Sequence, residues 1–235
     1  MKSKIRLQPL FNLGDMSNFG YEALCQKPNG RGSYPSAIRI LGTILAECNS
    51  NVRLFINLTL QDLRNKKFYD RFVSLTKHYN IDCGNIVFEV SEDTPPDVFD
   101  DAIPMLIALQ NCGAKVALDD FGLSYSLVNF SKDFYFDFVK IDQAFVQQSS
   151  DHVVGVMKHL IDVAKESGCT VIAEGIETYS QLSFSLTNGA TIGQGFILAA
   201  KKNESSFIQL TEFGNYIKEY INCDLSRKNK YYLPF

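Results

Sequence analysis

From residue 52 onward, short apolar runs alternate with amphipathic stretches, and each apolar run stops at a polar side chain. Leu54-Phe55-Ile56 ends in Asn57, Ile86-Val87-Phe88 in Glu89 and Val116-Ala117-Leu118 in Asp119-Asp120. Phe138-Val139 ends in Lys140, Val171-Ile172-Ala173 in Glu174 and Ile192-Gly193 in Gln194. Near-continuous apolar runs of this length are strands buried on both faces, as in a parallel sheet. The stretches between them predict helices over 62–79, 96–111, 152–167 and 180–187, with a shorter one over 124–130. Gly113 and Gly168 stand at helix exits. Parallel strands joined by helical crossovers, repeated to near eight in 235 residues, predict an α/β chain folded as a (β/α)8 barrel rather than an open doubly wound sheet. No GxGxxG or GxxxxGK[ST] loop is present, which argues against a nucleotide cofactor.

The amino-terminal part departs from that rhythm. Residues 5–11 and 19–24 read as two strands around a Gly14-Asp15 turn, which predicts a hairpin with Glu22 inside its second strand. Residues 27–33 form a loop by their Gly, Pro and Asn content, and a helix is predicted over 37–48 from Ile38, Ile40, Leu41, Ile44 and Leu45. A last helix is predicted over 204–220. The whole chain, 1–235, therefore reads as one domain, with a barrel over 5–220 and a basic then aromatic tail over 221–235.

Charge and cysteine usage narrow the function classes. A formal net charge of -3 argues against a DNA-binding protein, whose backbone affinity comes from clustered Lys and Arg. The six cysteines show no CxxC spacing, in a chain too large to need disulfide staples, so reduced thiols in the cytoplasm are expected. There is no signal-peptide pattern and no apolar run of membrane-spanning length, so any membrane or sensor part is expected on another chain. His78, His152 and His159 fall on predicted helices away from the strand ends, where packing or solvent exposure explains them.

In a parallel barrel all the polar strand ends meet at one rim, where barrel active sites sit. Glu22, Asn57, Glu89, Asp119, Asp120 and Glu174 are all oxygen donors, with no His or Cys among them, which implies hard ions, Mg2+ or Mn2+. Five carboxylates exceed what one such ion takes. A pair of divalent cations, with Asp119 as the candidate bridge, accounts for the surplus and suits in-line phosphoryl displacement by water. Lys140 then either holds the attacking water or offsets phosphate charge; a lysine simply paired to rim acids would look the same in sequence.

The motifs Tyr21-Glu22-Ala23-Leu24, Asn57-Leu58-Thr59, Glu89-Val90-Ser91-Glu92, Asp119-Asp120-Phe121-Gly122, Lys140-Ile141-Asp142, Ala173-Glu174-Gly175-Ile176-Glu177 and Gln194-Gly195-Phe196 resemble, in order and roughly in spacing, those of the EAL domain. The resemblance is to a stand-alone EAL-domain cyclic-di-GMP phosphodiesterase of bacterial second-messenger signalling, over nearly the whole length. It implies a TIM-like barrel with an altered first strand, two divalent cations, and hydrolysis of cyclic di-GMP to linear pGpG by a homodimer. It further implies Glu22, Asn57, Glu89 and Asp119 around one ion and Asp119, Asp120 and Glu174 around the other, with Lys140, Glu174 and Glu177 as catalytic residues. Gln8, Leu24, Asp142, Gln194 and Gly195 would contact substrate, and Glu92 would anchor the loop over 121–126.

Three departures stand against the family pattern. An arginine commonly follows Glu-Ala-Leu, and here the positions read Cys25-Gln26. The stretch from Glu22 to Asn57 is about one helix shorter, and the loop reads Asp120-Phe121-Gly122-Leu123-Ser124-Tyr125-Ser126, without its second glycine. Two competing readings follow: a catalytically weak or silent receptor or protein-binding regulator on the same barrel, and a metal-dependent barrel enzyme of the enolase type. The second leaves the Glu-Ala-Leu and Gln-Gly motifs unexplained.

Overall fold

The computed structural model describes residues 5–25, 34–48, 52–122, 134–147, 151–201, 208–210 and 212. Strands β1 (Ile5–Asn12) and β2 (Asn18–Cys25) form the expected antiparallel hairpin, with Gln8 opposite Glu22. Parallel pairing then runs from β2 through β3 (Leu54–Asn57), β4 (Ile86–Ser91), β5 (Lys115–Phe121), β6 (Phe138–Ile141), β7 (Thr170–Ala173) and β8 (Ile192–Gly193). β8 meets β1 antiparallel, Phe11 opposite Gly193 and Asn12 opposite Ile192, and this closes an eight-stranded barrel. The altered first strand is thus a strand of reversed direction. A two-residue strand β9 (Ile208–Gln209) pairs with Arg6 and Leu7 further along β1.

The helices are α1 (Ala37–Glu47), α2 (Leu60–Leu63), α3 (Phe68–Tyr79), α4 (Pro96–Asn111), α5 (Gln143–Val146), α6 (Asp151–Glu166), α7 (Tyr179–Asn188) and α8 (Phe196–Lys201). α1 begins at Ser36, whose side chain accepts from the Arg39 amide, and buries Ala37, Ile40, Leu41, Ile44 and Leu45, a single face at helical spacing. α7 is fixed at both ends, by a capping box between Thr178 and Gln181 and by Gly189 in the left-handed region.

Several elements differ from the sequence expectation, each for a local reason. The helix expected over 62–79 is two helices. Asp62 is drawn into a capping box with Thr59 and also accepts the Ala37 amide at 3.1 Å, which starts α2 early. Asn65 then accepts the Lys67 amide at 3.0 Å and breaks the run before α3. α3 exits through Asn80 at φ 52 rather than through a glycine. The short helices α5 and α8 are not foreseen; α5 starts because Asp142 accepts the Ala144 amide. Within the helix expected over 204–220, Ile208 and Gln209 are instead strand, because the edge of β1 beyond β8 is open there to pairing. The expected loop at 27–33, the short helix over 124–130 and the 221–235 tail lie outside the described residues.

Two separate apolar layers result. The larger lies between the strands and the helices, and there the Phe88 ring sits edge-on to Phe68 at 5.4 Å and to Phe72 at 5.1 Å. The smaller fills the barrel interior, with one residue from each of seven strands: Leu10, Phe55, Val87, Ala117, Phe138, Ile172 and Ile192, with Phe19 of β2 packed against them. Phe19, Phe55 and Phe138 stand 5.7 to 6.2 Å apart and plug the barrel.

Truncating Phe88 removes the ring on which two α3 aromatics pack. Phe88→Ala is expected to lower the unfolding free energy by about 3–5 kcal/mol in urea denaturation. A loss under about 1 kcal/mol would mean that α3 does not pack against β4 as described.

Candidate active site

Strand periodicity builds the site. Side chains two apart on a strand share a face, so the residue two positions beyond each plug residue also points into the barrel. Phe55 is followed by Asn57, Val87 by Glu89, Ala117 by Asp119, Phe138 by Lys140, Ile172 by Glu174 and Ile192 by Gln194. On the reversed β1 the order inverts, and Gln8 precedes Leu10. The polar layer therefore lies directly above the apolar plug.

At its centre is Lys140, 1% exposed. Its Nζ lies 2.7 Å from Glu174 Oε1, 2.8 Å from Glu89 Oε1, 2.9 Å from Asp119 Oδ1 and 3.4 Å from Glu22 Oε2. Asn57 Nδ2 donates to Glu89 Oε2 at 3.0 Å and to Glu22 Oε1 at 3.4 Å. Gln194 Nε2 donates to Glu22 Oε2 at 2.9 Å and to Glu174 Oε1 at 3.1 Å. Above them opens a cavity of about 490 Å3, lined among others by Gln8, Leu24, Asp142, Glu177 and Gly195. Every residue singled out in the sequence lines this cavity except Glu89 and Glu92. Glu89 is fully buried beneath it, and Glu92, also buried, accepts the Gly122 amide on Oε2 at 2.9 Å. The rest of the 121–126 loop, Leu123 onward, lies outside the described residues.

Asp120 breaks the alternation. Neighbouring side chains on a strand point to opposite faces, yet Asp119 and Asp120 both line the cavity. The β5–β6 register shifts between Leu118 and Phe121, and Asp120 adopts φ 59, left-handed for a residue other than glycine. That bulge-like irregularity turns the second carboxylate inward at a conformational cost of about 1–3 kcal/mol.

The acids outnumber their countercharge. Burial pushes Glu174 up to about 8, and the neighbouring Asp119 and Glu22 add to the rise against the opposing pull of Lys140. Burial likewise holds Glu89 well above the usual carboxylate range, and burial with Asp119 and Asp142 nearby raises Asp120 to about 6. For Lys140 burial alone would lower the value, but four carboxylates outweigh it, so the ammonium stays charged. One ammonium cannot neutralise these acids, so the remainder is relieved by protons or by further cations. Carboxylate oxygens of Asp119, Asp120 and Glu174 lie within 4.8 Å of one another. The buried Gln194 Oε1 has no hydrogen-bond partner among the described residues. An all-oxygen, acid-rich donor set of this kind fits Mg2+ or Mn2+.

Gln143, Gly175 and Phe196 also line the cavity, although the sequence reading gave them no role. Gly175 and Phe196 belong to the quoted motifs and Gln143 directly follows Lys140-Ile141-Asp142, and that position is the signal that could have found them. Gly175 at φ 64 is required there, since a Cβ would come within 2.5 Å of Gln143 Cβ.

Comparison with known proteins places this architecture. The family model described as EAL domain matches residues 36–201. The chain is 26% identical over 231 residues to the probable cyclic di-GMP phosphodiesterase PdeB of Escherichia coli (strain K12), covering 88% of this chain and 44% of that protein. It is 28% identical over 160 residues to the cyclic di-GMP phosphodiesterase PdeL of the same organism, covering 67% of this chain and 44% of the relative. The chain thus spans less than half the length of these curated relatives. The crystal structure of the EAL domain of Mycobacterium smegmatis DcpA superposes with a TM-score of 0.76 at 25% identity, covering 92% of this chain and 96% of that one.

Removing the ammonium exposes the charge imbalance. Lys140→Met is expected to cost about 3–5 kcal/mol of stability, read by urea denaturation in the presence of a chelator. The sign of its pH dependence follows from Glu174, raised from 4.5 to about 8. A raised carboxylate takes up a proton on folding, so its contribution is present below about 4.5 and is lost as pH rises through about 8. The variant should therefore lose more stability at about pH 8 than at about pH 5, and a loss equal at both would exclude surplus negative charge as its cause.

Proposed function

The chain belongs to the EAL domain family, and from that premise we propose that it is a metal-dependent phosphodiesterase that hydrolyses cyclic di-GMP to linear pGpG. The observation that carries this reading is the polar layer itself: five carboxylates, one amide pair and one lysine converge in the barrel mouth, with Lys140 held between four of the acids. Relatives along most of this chain carry the name cyclic di-GMP phosphodiesterase, which supports the same substrate.

In this reading Glu22, Asn57, Glu89 and Asp119 hold one Mg2+ or Mn2+ ion, and Asp119, Asp120 and Glu174 hold the other. Such an ion pair, when bound, makes water nucleophilic near neutral pH and offsets charge on the phosphate. The protein supplies the positioning. Lys140 holds the attacking water at an Nζ whose position four carboxylates fix, and Glu174 and Glu177 manage its proton. Gln8, Leu24, Asp142, Gln194 and Gly195 seat the dinucleotide. Asp142 is kept in place by the Ala144 amide, at 2.7 Å. Glu92, through the Gly122 amide, fixes the start of the loop through which the chain pairs as a homodimer. A cytoplasmic setting accords with cysteines Cys25, Cys48, Cys83, Cys112 and Cys169 in the reduced form. Among the described residues no helix is long and apolar enough to cross a membrane.

Two measurements test this. Purified chain incubated with cyclic di-GMP and Mn2+ or Mg2+ is expected to release pGpG, and Asp119→Ala should cut that rate by at least about a hundredfold. Binding of the dinucleotide without turnover in either ion would assign the chain as a receptor instead. Substituting Ca2+, which is larger and takes looser geometry, should slow hydrolysis by at least about tenfold. Full activity in Ca2+ would rule out a tight two-ion site.

A further inference from the structure

Away from the polar layer, two cysteine thiols meet where β4 and β5 begin. Cys83 opens the 3-10 turn Cys83–Asn85 that leads into β4, and Cys112 caps the end of α4 just before β5. Cys83 lies close enough to Cys112 to raise its thiol, both electrostatically and through their side-chain contact. The backbones approach as well, since a Cβ built on Gly113 would lie 3.7 Å from Cys83 Cβ and 3.8 Å from the Gly84 amide nitrogen. Cys112 also donates from Sγ to Leu109 O at 3.0 Å, which holds the sulfur in this position. Both cysteines are partly exposed, so a small oxidant reaches them. Cys48 and Cys169, by contrast, are buried.

We propose that Cys83 and Cys112 form an oxidisable dithiol, a modification site at which a peroxide closes a disulfide between the starts of β4 and β5. One thiol attacks a peroxide oxygen, the O–O bond breaks, and a sulfenic acid and one water result. The second thiol attacks that sulfenic sulfur, the S–O bond breaks, the S–S bond forms and a second water leaves. The peroxide is thereby reduced by two electrons, one from each sulfur. Burial raises the Cys112 thiol above its ordinary value, so Cys112 rests protonated under reducing conditions. β4 carries Glu89 and β5 carries Asp119 and Asp120, so the bond would staple together the two strands that bear three of the candidate ligands.

The test uses the full chain, reduced and then exposed to hydrogen peroxide before alkylation with N-ethylmaleimide. The expected result is a chain with no covalent link to another copy, two fewer alkylated thiols and a linked peptide joining Cys83 to Cys112. Its melting temperature should rise on the order of 5 °C, and dithiothreitol should reverse the rise, because the cross-link restricts the unfolded chain. Cys83→Ser and Cys112→Ser should each abolish both changes. Phenylarsine oxide, which takes two neighbouring thiols and releases water, should protect both positions of the unaltered chain from alkylation, a readout that needs no variant. Independent alkylation of the two cysteines under phenylarsine oxide, or peroxide products limited to sulfinic acids or links between chains, would overturn the proposal.

Discussion

A single buried ammonium governs the barrel interior. Lys140 Nζ reaches from β6 to carboxylates on β2, β4 and β5 and at the residue just past β7, so one side chain ties together five of the eight strands. Because the apolar plug lies beneath it and the barrel wall surrounds it, those charges are poorly screened. Desolvating them is expensive, and the cost is offset only while all partners keep their geometry. The amides of Asn57 and Gln194 complete the arrangement by donating to Glu22, Glu89 and Glu174. The polar layer is thus as demanding of exact strand placement as any hydrophobic core.

Two stacked layers divide the work. The lower one, with Phe19, Phe55 and Phe138 at its heart, stabilises without directionality; the upper one is directional and unfavourable by itself. Their coupling is the strand repeat, since a slip of one residue would turn both sets out of the barrel and a slip of two would carry an apolar residue into the cavity or an acid into the plug. Asp120 shows what departure from the repeat requires. Turning a second adjacent carboxylate inward takes a left-handed backbone and a shift in the β5–β6 ladder.

Much of this was legible in the sequence because the strand repeat is. Six apolar runs each ended in a polar residue, and those ends do meet at one rim. The antiparallel hairpin was legible from the Gly14-Asp15 turn between two alternating runs. The break between α2 and α3 was not, because it depends on Asn65 accepting the Lys67 amide, a side-chain turn that helical periodicity cannot express. Asp120 was placed at the rim from sequence, but the left-handed backbone that turns it inward was not legible, since nothing in Asp-Asp marks a positive φ. β9 escaped because a two-residue strand is defined by its partner, here the open edge of β1, and not by its own residues. The roles of individual acids as ion ligands came from the family resemblance; geometry supplies their convergence.

The reversed strand has one more consequence. β1 and β8 share only two residue pairs, so the barrel has a seam there, far shorter than the hairpin joint on the other side of β1. The hydrogen bond from Gln194 to Glu22 crosses the strand that fills this seam, joining β8's end to β2 over the top of Gln8. The cavity therefore acts as a clasp. Whatever binds among Gln8, Glu22 and Gln194 also holds the cylinder shut across its reversed strand, so occupancy of the mouth and integrity of the wall become one equilibrium.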